Sequence, residues 1–353
     1  MKAKITFPKE PDFFYKDACK EVQAYFETNQ IDKYGSNALL LKYVLLKVVC
    51  VFSYLLIFYF QNSYRVYLPF VMLGPLGIIL ALNISHDAIH GVAHSKKWIN
   101  SYFTMQMDLI GANSFVWKKR HQFGHHTFPN TLGKDPDLTQ TEIVKILPKA
   151  THKFYHKFQH LYVPFLYSVY TINWIYIRDF TDFFSKNSLL KNIPKKEYLK
   201  LITFKLLYIS IFILVPFFYT SLSITQVVFG NLLMHISASY FLTLVLVPSH
   251  VSENSVFITP DSDGKMPYSW SHHQVITTTD FATNSYLTTW LLGGFNHHVV
   301  HHLFPNVSHV HYPKMTPIIK RLAKKYGLEY NHESSALHAY ISHYNLLKNH
   351  GKQ

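Results

Sequence analysis

The residues in this chain whose types and spacing suit chemistry are its histidines, 23 of them in 353 residues. The stretch GGFNHHVVHHLFP, from Gly293 to Pro305, sets His298, His301 and His302 as H-x-x-H-H. On a helix, positions i, i+3 and i+4 share a face, so the three imidazoles are expected to converge on one locus. At this histidine content a random H-x-x-H-H should arise roughly 0.1 times, whereas a bare H-x-x-x-H should arise about once. Two further groups give the first one company. WKKRHQFGHHTFPN holds His121, His125 and His126 as H-x-x-x-H-H, and SHDAIHGVAH holds His86 and His90 one helical turn apart. These imidazoles exceed what one first-row ion can coordinate, so a two-metal site is expected. Imidazole suits iron, zinc, copper and nickel alike, and the ligands alone do not choose.

HDAIH is also similar to the zinc-protease pattern H-E-x-x-H, with Asp87 in place of the general base. Aspartate is one methylene short for that role, and a lone zinc leaves most of the histidines unused. Neutral imidazoles leave the metals' charge uncompensated, so carboxylates that orient the rings through their free N–H are expected. Asp87, Asp135, Asp137 and Asp280 are the candidates.

The elements that must position these groups are read from composition first. With 48% hydrophobic, 16% aromatic and 15% charged residues, the chain is expected to be an all-α integral membrane protein. Its mean hydropathy of +0.03 is low for a bundle of spans alone, so large polar parts lie outside the lipid. Four spans are expected, at about 39–60, 67–84, 198–219 and 222–247, forming two hairpins. Residues 161–180 are apolar and aromatic, yet Asn173, Arg178 and Asp179 favour an interfacial helix over a fifth span. Segments 1–38, 85–197 and 248–353 then form a helical cap that carries every histidine group. Their lysines and arginines place the cap in the cytoplasm, because the hairpin turns contain Arg65 and no other basic residue.

The formal charge of +14 is assigned to the membrane surface and not to nucleic acid, for which no recognition motif is present. Two cysteines, Cys19 and Cys50, exclude a disulfide framework and a four-cysteine iron–sulfur cluster. The opening MKAKITFPKEPDFF lacks the apolar core of a cleaved signal peptide.

The order H-D-x-x-H, H-x-x-x-H-H, then GGFNHHVVHHLFP with a trailing SHVHYP, together with NTLGKDPDL, resembles the membrane fatty acid desaturases, closest to their bacterial and front-end types. The resemblance covers nearly the whole chain as a single domain, 1–353. It implies two iron ions, O2 as co-substrate, and insertion of a cis double bond into a long acyl chain carried by coenzyme A or a lipid. It implies His86, His90, His121, His125, His126, His298, His301 and His302 as ligands, with a further ligand near the exit of the fourth span. His250, in LVLVPSHVSEN, is the candidate for that role, and His235, earlier in the same span, is its control. Two departures bear on regioselectivity: many front-end members have Gln where His298 stands, and they carry a fused haem domain that is not read here. A bacterial inner membrane with a cytoplasmic active site is the expected location.

An external electron donor, a ferredoxin or a cytochrome b-type protein, is expected, since the chain has no G-x-G-x-x-G loop and no haem signature. A hydroxylase or ketolase with the same metals is the nearest alternative, and a metal transporter is a more distant one, because transport sites lie nearer the bilayer midplane. His94, His272, His273, His297, His309 and His311 flank the boxes and are read as supporting or surface residues.

Overall fold

The computed structural model describes residues 5–138, 140–147, 149–185, 190 and 192–352. Lys2, Lys4, Lys186 and Lys191, which contribute to the charge bias, lie outside them. The chain forms two compact units, one of residues 1–34, 120–163 and 245–353 and the other of residues 35–119 and 164–244.

The second unit contains four helices long and apolar enough to cross a membrane, apart from the last two residues of the fourth: Ser36–Tyr59, Tyr64–Ile89, Lys195–Tyr219 and Ile224–Leu246. These agree with the expected spans within a few residues, except that the second runs on past residue 84 to carry His86. The first leaves Leu41, Val48, Phe52 and Leu55 exposed, as an acyl-facing surface requires. The second is mostly buried, and it meets the fourth closely. A Cβ at Gly74 would stand 2.2 Å from the Met234 carbonyl and 2.4 Å from Ser237 Oγ, so only glycine fits there. Between Leu80 and His86 the helix widens into a π-turn, Ala81–Ser85, before resuming as His86–Ile89.

Residues 161–180 are helical but not one helix. A short helix, Gln159–Tyr167, contains Pro164, and the chain breaks before Tyr170–Asn173 and a π-turn, Trp174–Arg178. In the middle of this segment Thr171, Trp174 and Ile175 are buried inside the second unit, while Phe165, Val169 and Ile177 stay exposed. The Asp179 carboxylate there takes the Asn113 N–H and pairs with Lys205 at 2.7 Å, which meets the rule that a buried charge needs a partner.

The first unit has an apolar core built by three helices. Helix Phe13–Thr28, capped by Asp12, contributes Phe14, Ala18 and Val22 at intervals of four. Helix Tyr312–Lys325 contributes Tyr312, Met315, Ile319, Leu322 and Ala323 from one face. The short helix His298–Leu303 contributes Val299, Val300 and Leu303. One correction to the all-helical expectation is a two-residue parallel pair, Asp280–Phe281 with His332–Glu333.

A candidate metal centre

With its valines and Leu303 turned into the core, helix His298–Leu303 leaves three imidazoles for a different purpose. Its first turn is held by Asp280, whose Oδ1 accepts the Val299 N–H at 2.8 Å and whose Oδ2 accepts the Tyr330 hydroxyl. Burial pushes this carboxyl up to about 6, against the pull of those two donors.

His298 and His302 meet His125 and His250, and the ligating atoms of the four lie within 4.8 Å of one another. The Nε2 of His250 is 3.0 Å from that of His125 and 2.7 Å from that of His298, and His302 Nε2 is 3.2 Å from His298 Nε2. The far nitrogens decide where the protons are. His125 Nδ1 donates to the Asp135 carboxylate at 3.1 Å, His250 Nδ1 to the Thr277 carbonyl at 3.2 Å, and His302 Nδ1 to Gln274 Oε1 at 2.9 Å. Oxygens of these kinds accept protons and offer none, so the three rings carry their hydrogen on Nδ1 and present bare Nε2 lone pairs. Lone pairs facing each other at such separations repel unless a cation lies among them. A tetrahedral ion about 2.0–2.1 Å from each nitrogen would set neighbouring nitrogens about 3.3 Å apart, so the donor set fits a first-row metal.

Electrostatics agree with the proton positions at His250 and His302. Burial, reinforced by the neighbouring imidazoles, holds His250 and His302 well below the ordinary histidine range, in the neutral form a metal requires. Burial also works to lower His125, but the Asp135 carboxylate outweighs it and holds that ring above the ordinary value.

Three more predicted ligands lie in the first unit. His126 Nε2 is 3.0 Å from His121 Nε2, and the His301 ring stacks on His121 with centroids 5.5 Å apart. The Tyr312 hydroxyl donates to the Val307 carbonyl at 3.1 Å and so accepts from His301 Nδ1 at 3.2 Å, which leaves His301 Nε2 bare as well. In the second unit, His86 and His90 face each other with ring centroids 4.8 Å apart, as the i, i+4 spacing requires.

The expectation that His298, His301 and His302 share one locus is corrected: His298 and His302 join one group, and His301 turns to His121 and Tyr312. Of the four candidate carboxylates, Asp135 alone is hydrogen-bonded to a ring of the four-histidine group. Asp137 pairs with Arg120 at 3.5 Å, Asp87 stands 3.7 Å from the Nδ1 of its neighbour His86, and Asp280 holds backbone. Residue types and spacing gave no sign of Gln274, Tyr312 or the Thr277 carbonyl. Gln274 and Thr277 fall within HQVITTTDF, beside His273.

The flanking histidines behave as supports. His297 spends both nitrogens, on Thr316 and Thr289, His273 Nε2 faces the Pro129 carbonyl at 2.8 Å, and His311 Nε2 faces the Tyr34 carbonyl at 3.3 Å. His94 Nδ1 accepts the Lys96 N–H, and His272 lies against the Tyr268 ring. His235 is bonded at Nδ1 to Thr171 and at Nε2 to Tyr208, within the second unit. The continuous helix that would set its depth relative to His250 stops at Leu246, and His250 stands in the turn beyond.

The second unit also contains a half-open cavity of about 250 Å³, lined mainly by apolar side chains including Val51, Leu73, Ile78, Ile110, Ile211 and Met234. The helix that walls it with Leu80 carries His86 six residues on, just beyond the π-turn.

Comparison with known proteins adds three findings. Residues 62–334 match the profile of the fatty acid desaturase family. The chain is similar to the sn-1 linoleoyl-lipid 6-desaturases of Synechocystis sp. (31% identical, covering 94% of this chain and 94% of the relative) and Arthrospira platensis (29%, 98% and 94%). It is also similar to the acyl-lipid (8-3)-desaturase of Physcomitrium patens, at 30% identity over 91% of this chain and 68% of the relative.

Proposed function

Because the chain belongs to the fatty acid desaturase family, we propose that this oxidoreductase converts a –CH2–CH2– unit of a lipid-bound acyl chain to –CH=CH–. In the balanced reaction O2, two electrons and two protons are consumed and two waters are released. The observation that carries this reading is the convergence of ring nitrogens from His125, His250, His298 and His302, three of them bare at Nε2. These four would hold one iron. His86, His90, His121, His126 and His301 are proposed for a second on their residue type and the family pattern. When bound, iron supplies the O2 activation that no side chain can.

The rest falls to the chain's own residues. Asp135, Thr277 and Gln274 fix the rings in the tautomer that binds metal. The cavity in the second unit is proposed to take the acyl chain, each buried methylene contributing about 0.8 kcal/mol and so holding one pair in register. The lipid carrier is proposed from the names of the relatives, which act on lipid-linked chains. The four apolar helices and the charge bias of the segments between them support a membrane protein with both termini in the cytoplasm.

The test is to purify the full chain, measure its iron, and supply lipid-bound and coenzyme A-bound acyl chains with O2 and reduced donor. A double bond formed in the lipid-bound chain, dependent on O2 and iron, is expected. A hydroxylated product, or none from either carrier, refutes the reading.

A further inference from the structure

Desaturation as proposed needs two electrons per turnover, delivered from outside to the histidine groups. Helix Tyr312–Lys325 connects those groups with the surface of the first unit. Its buried face, Tyr312, Met315, Thr316, Ile319, Leu322 and Ala323, packs into the core shared with Val299, Val300 and Leu303, and Tyr312 bonds His301 at 3.2 Å. Its outward face carries Lys314, Lys320, Arg321, Lys324 and Lys325, and the helix contains no acidic residue. The helix thus packs on the histidine-bearing helix with one face and presents lysines with the other.

Helix Phe13–Thr28 lies antiparallel beside it, with Asp17 paired to Lys325 at 2.7 Å and Glu21 to Arg321. Those two acids are therefore engaged, and the third acid of helix Phe13–Thr28, Glu27, is exposed in its last turn and accepts the Gln23 amide, while Lys16, Lys20, Lys314 and Lys324 are exposed and make no ion pair among the described residues. The face is cationic but not greasy. Phe13 is the one large apolar side chain exposed on either helix, whereas a helix lying in a bilayer interface turns an apolar stripe into the acyl chains.

We infer that the paired helices Phe13–Thr28 and Tyr312–Lys325 form the landing surface for a small acidic electron-carrier protein. The inference rests on the proposed desaturation, which supplies the need for electrons. Charge complementarity of this kind steers encounter and is screened by salt.

The test uses the full chain in discs of neutral phosphatidylcholine, with a plant-type [2Fe–2S] ferredoxin as probe and equilibrium binding as the readout. Binding is expected to weaken steeply with salt, and to weaken at least 10-fold in the Lys20→Glu/Lys314→Glu/Lys324→Glu variant with an unchanged melting temperature. Reversing Lys149 and Lys157 instead should change it less than two-fold. A melting shift in the triple variant is answered by the milder Lys314→Gln/Lys324→Gln, which should still weaken binding several-fold. Equal binding by native and variant protein overturns the inference. So does the finding that anionic lipid in the disc, and not ferredoxin, shields Lys314 and Lys324 from amine-reactive labelling, which makes the face a headgroup surface. Binding is read in metal-free protein as well, so a failure of desaturation chemistry leaves this outcome distinct.

Discussion

His250 is the residue whose role the three boxes do not announce, and its Nε2 lies within 3.0 Å of two other ring nitrogens. His250→Ala should lower iron content and abolish desaturation. His235→Ala should keep full iron, because His235 spends its nitrogens on Thr171 and Tyr208, although losing those two bonds should cost about 1 kcal/mol of stability each. Metal analysis beside thermal melting checks both halves. Asp135 acts at one remove. Asp135→Asn preserves its shape but weakens the hold on His125 Nδ1, and a drop in iron affinity of about 10–100-fold is expected in a chelator competition. Histidine is legible in a sequence because few other residues ligate so well and its spacing is improbable by chance. Gln274 and Tyr312 are not, since glutamine and tyrosine are common and nothing in their spacing marks them as partners of His302 and His301.

Among the elements, the two central spans depend on small residues. Gly74→Ala would put a methyl into the Met234 carbonyl, so the second and fourth spans must separate or the helix must bend. A loss of about 2 kcal/mol or more is expected, read as a lower melting temperature of the purified protein, on the scale of overpacking in a tight core. The four long apolar helices were legible to within a few residues because twenty apolar residues in a row have few other uses. The segment 161–180 was not, because its aromatic residues serve the interior of the second unit as readily as a lipid interface. Trp174 and Ile175 line the cavity, while Phe165 and Ile177 stay exposed. The same ambiguity hid the division of the last box, where an α-helical face was legible but two different neighbours for it were not.

For the whole molecule, the buried neutral histidines set a direction for stability with pH. Burial lowers His273, His297 and His343 to about 4, so each resists protonation in the folded chain and takes its proton near 6.5 once unfolded. A depressed histidine contributes stability above its unfolded value and loses it as pH falls towards the folded one. Metal-free protein should therefore melt progressively lower between about pH 6.5 and 4, each such ring adding up to about 1.4 kcal/mol per pH unit to the slope. His125, held above the ordinary value by Asp135, works the other way, and its contribution fades as pH rises through its folded range. A melting temperature that rises on acidification across that window contradicts this balance.

The π-turns at Ala81–Ser85 and Lys119–His125 have a consequence for the gene as well as for the fold. In the second of them the His126 N–H bonds the His121 carbonyl, five residues back, so that 121, 125 and 126 fall on one side. Such a turn is an α-helix with one residue inserted, and the insertion sets the phase of everything after it. Removing Phe123 deletes no ligand, yet it rotates His125 and His126 by about 100° against His121, and removing Leu82 from the first turn rotates His86 and His90 by as much against the helix that precedes them. Either deletion should yield a membrane-inserted protein with little bound iron, measurable on the purified chain. At these two places a one-codon gap should be less tolerated than many substitutions.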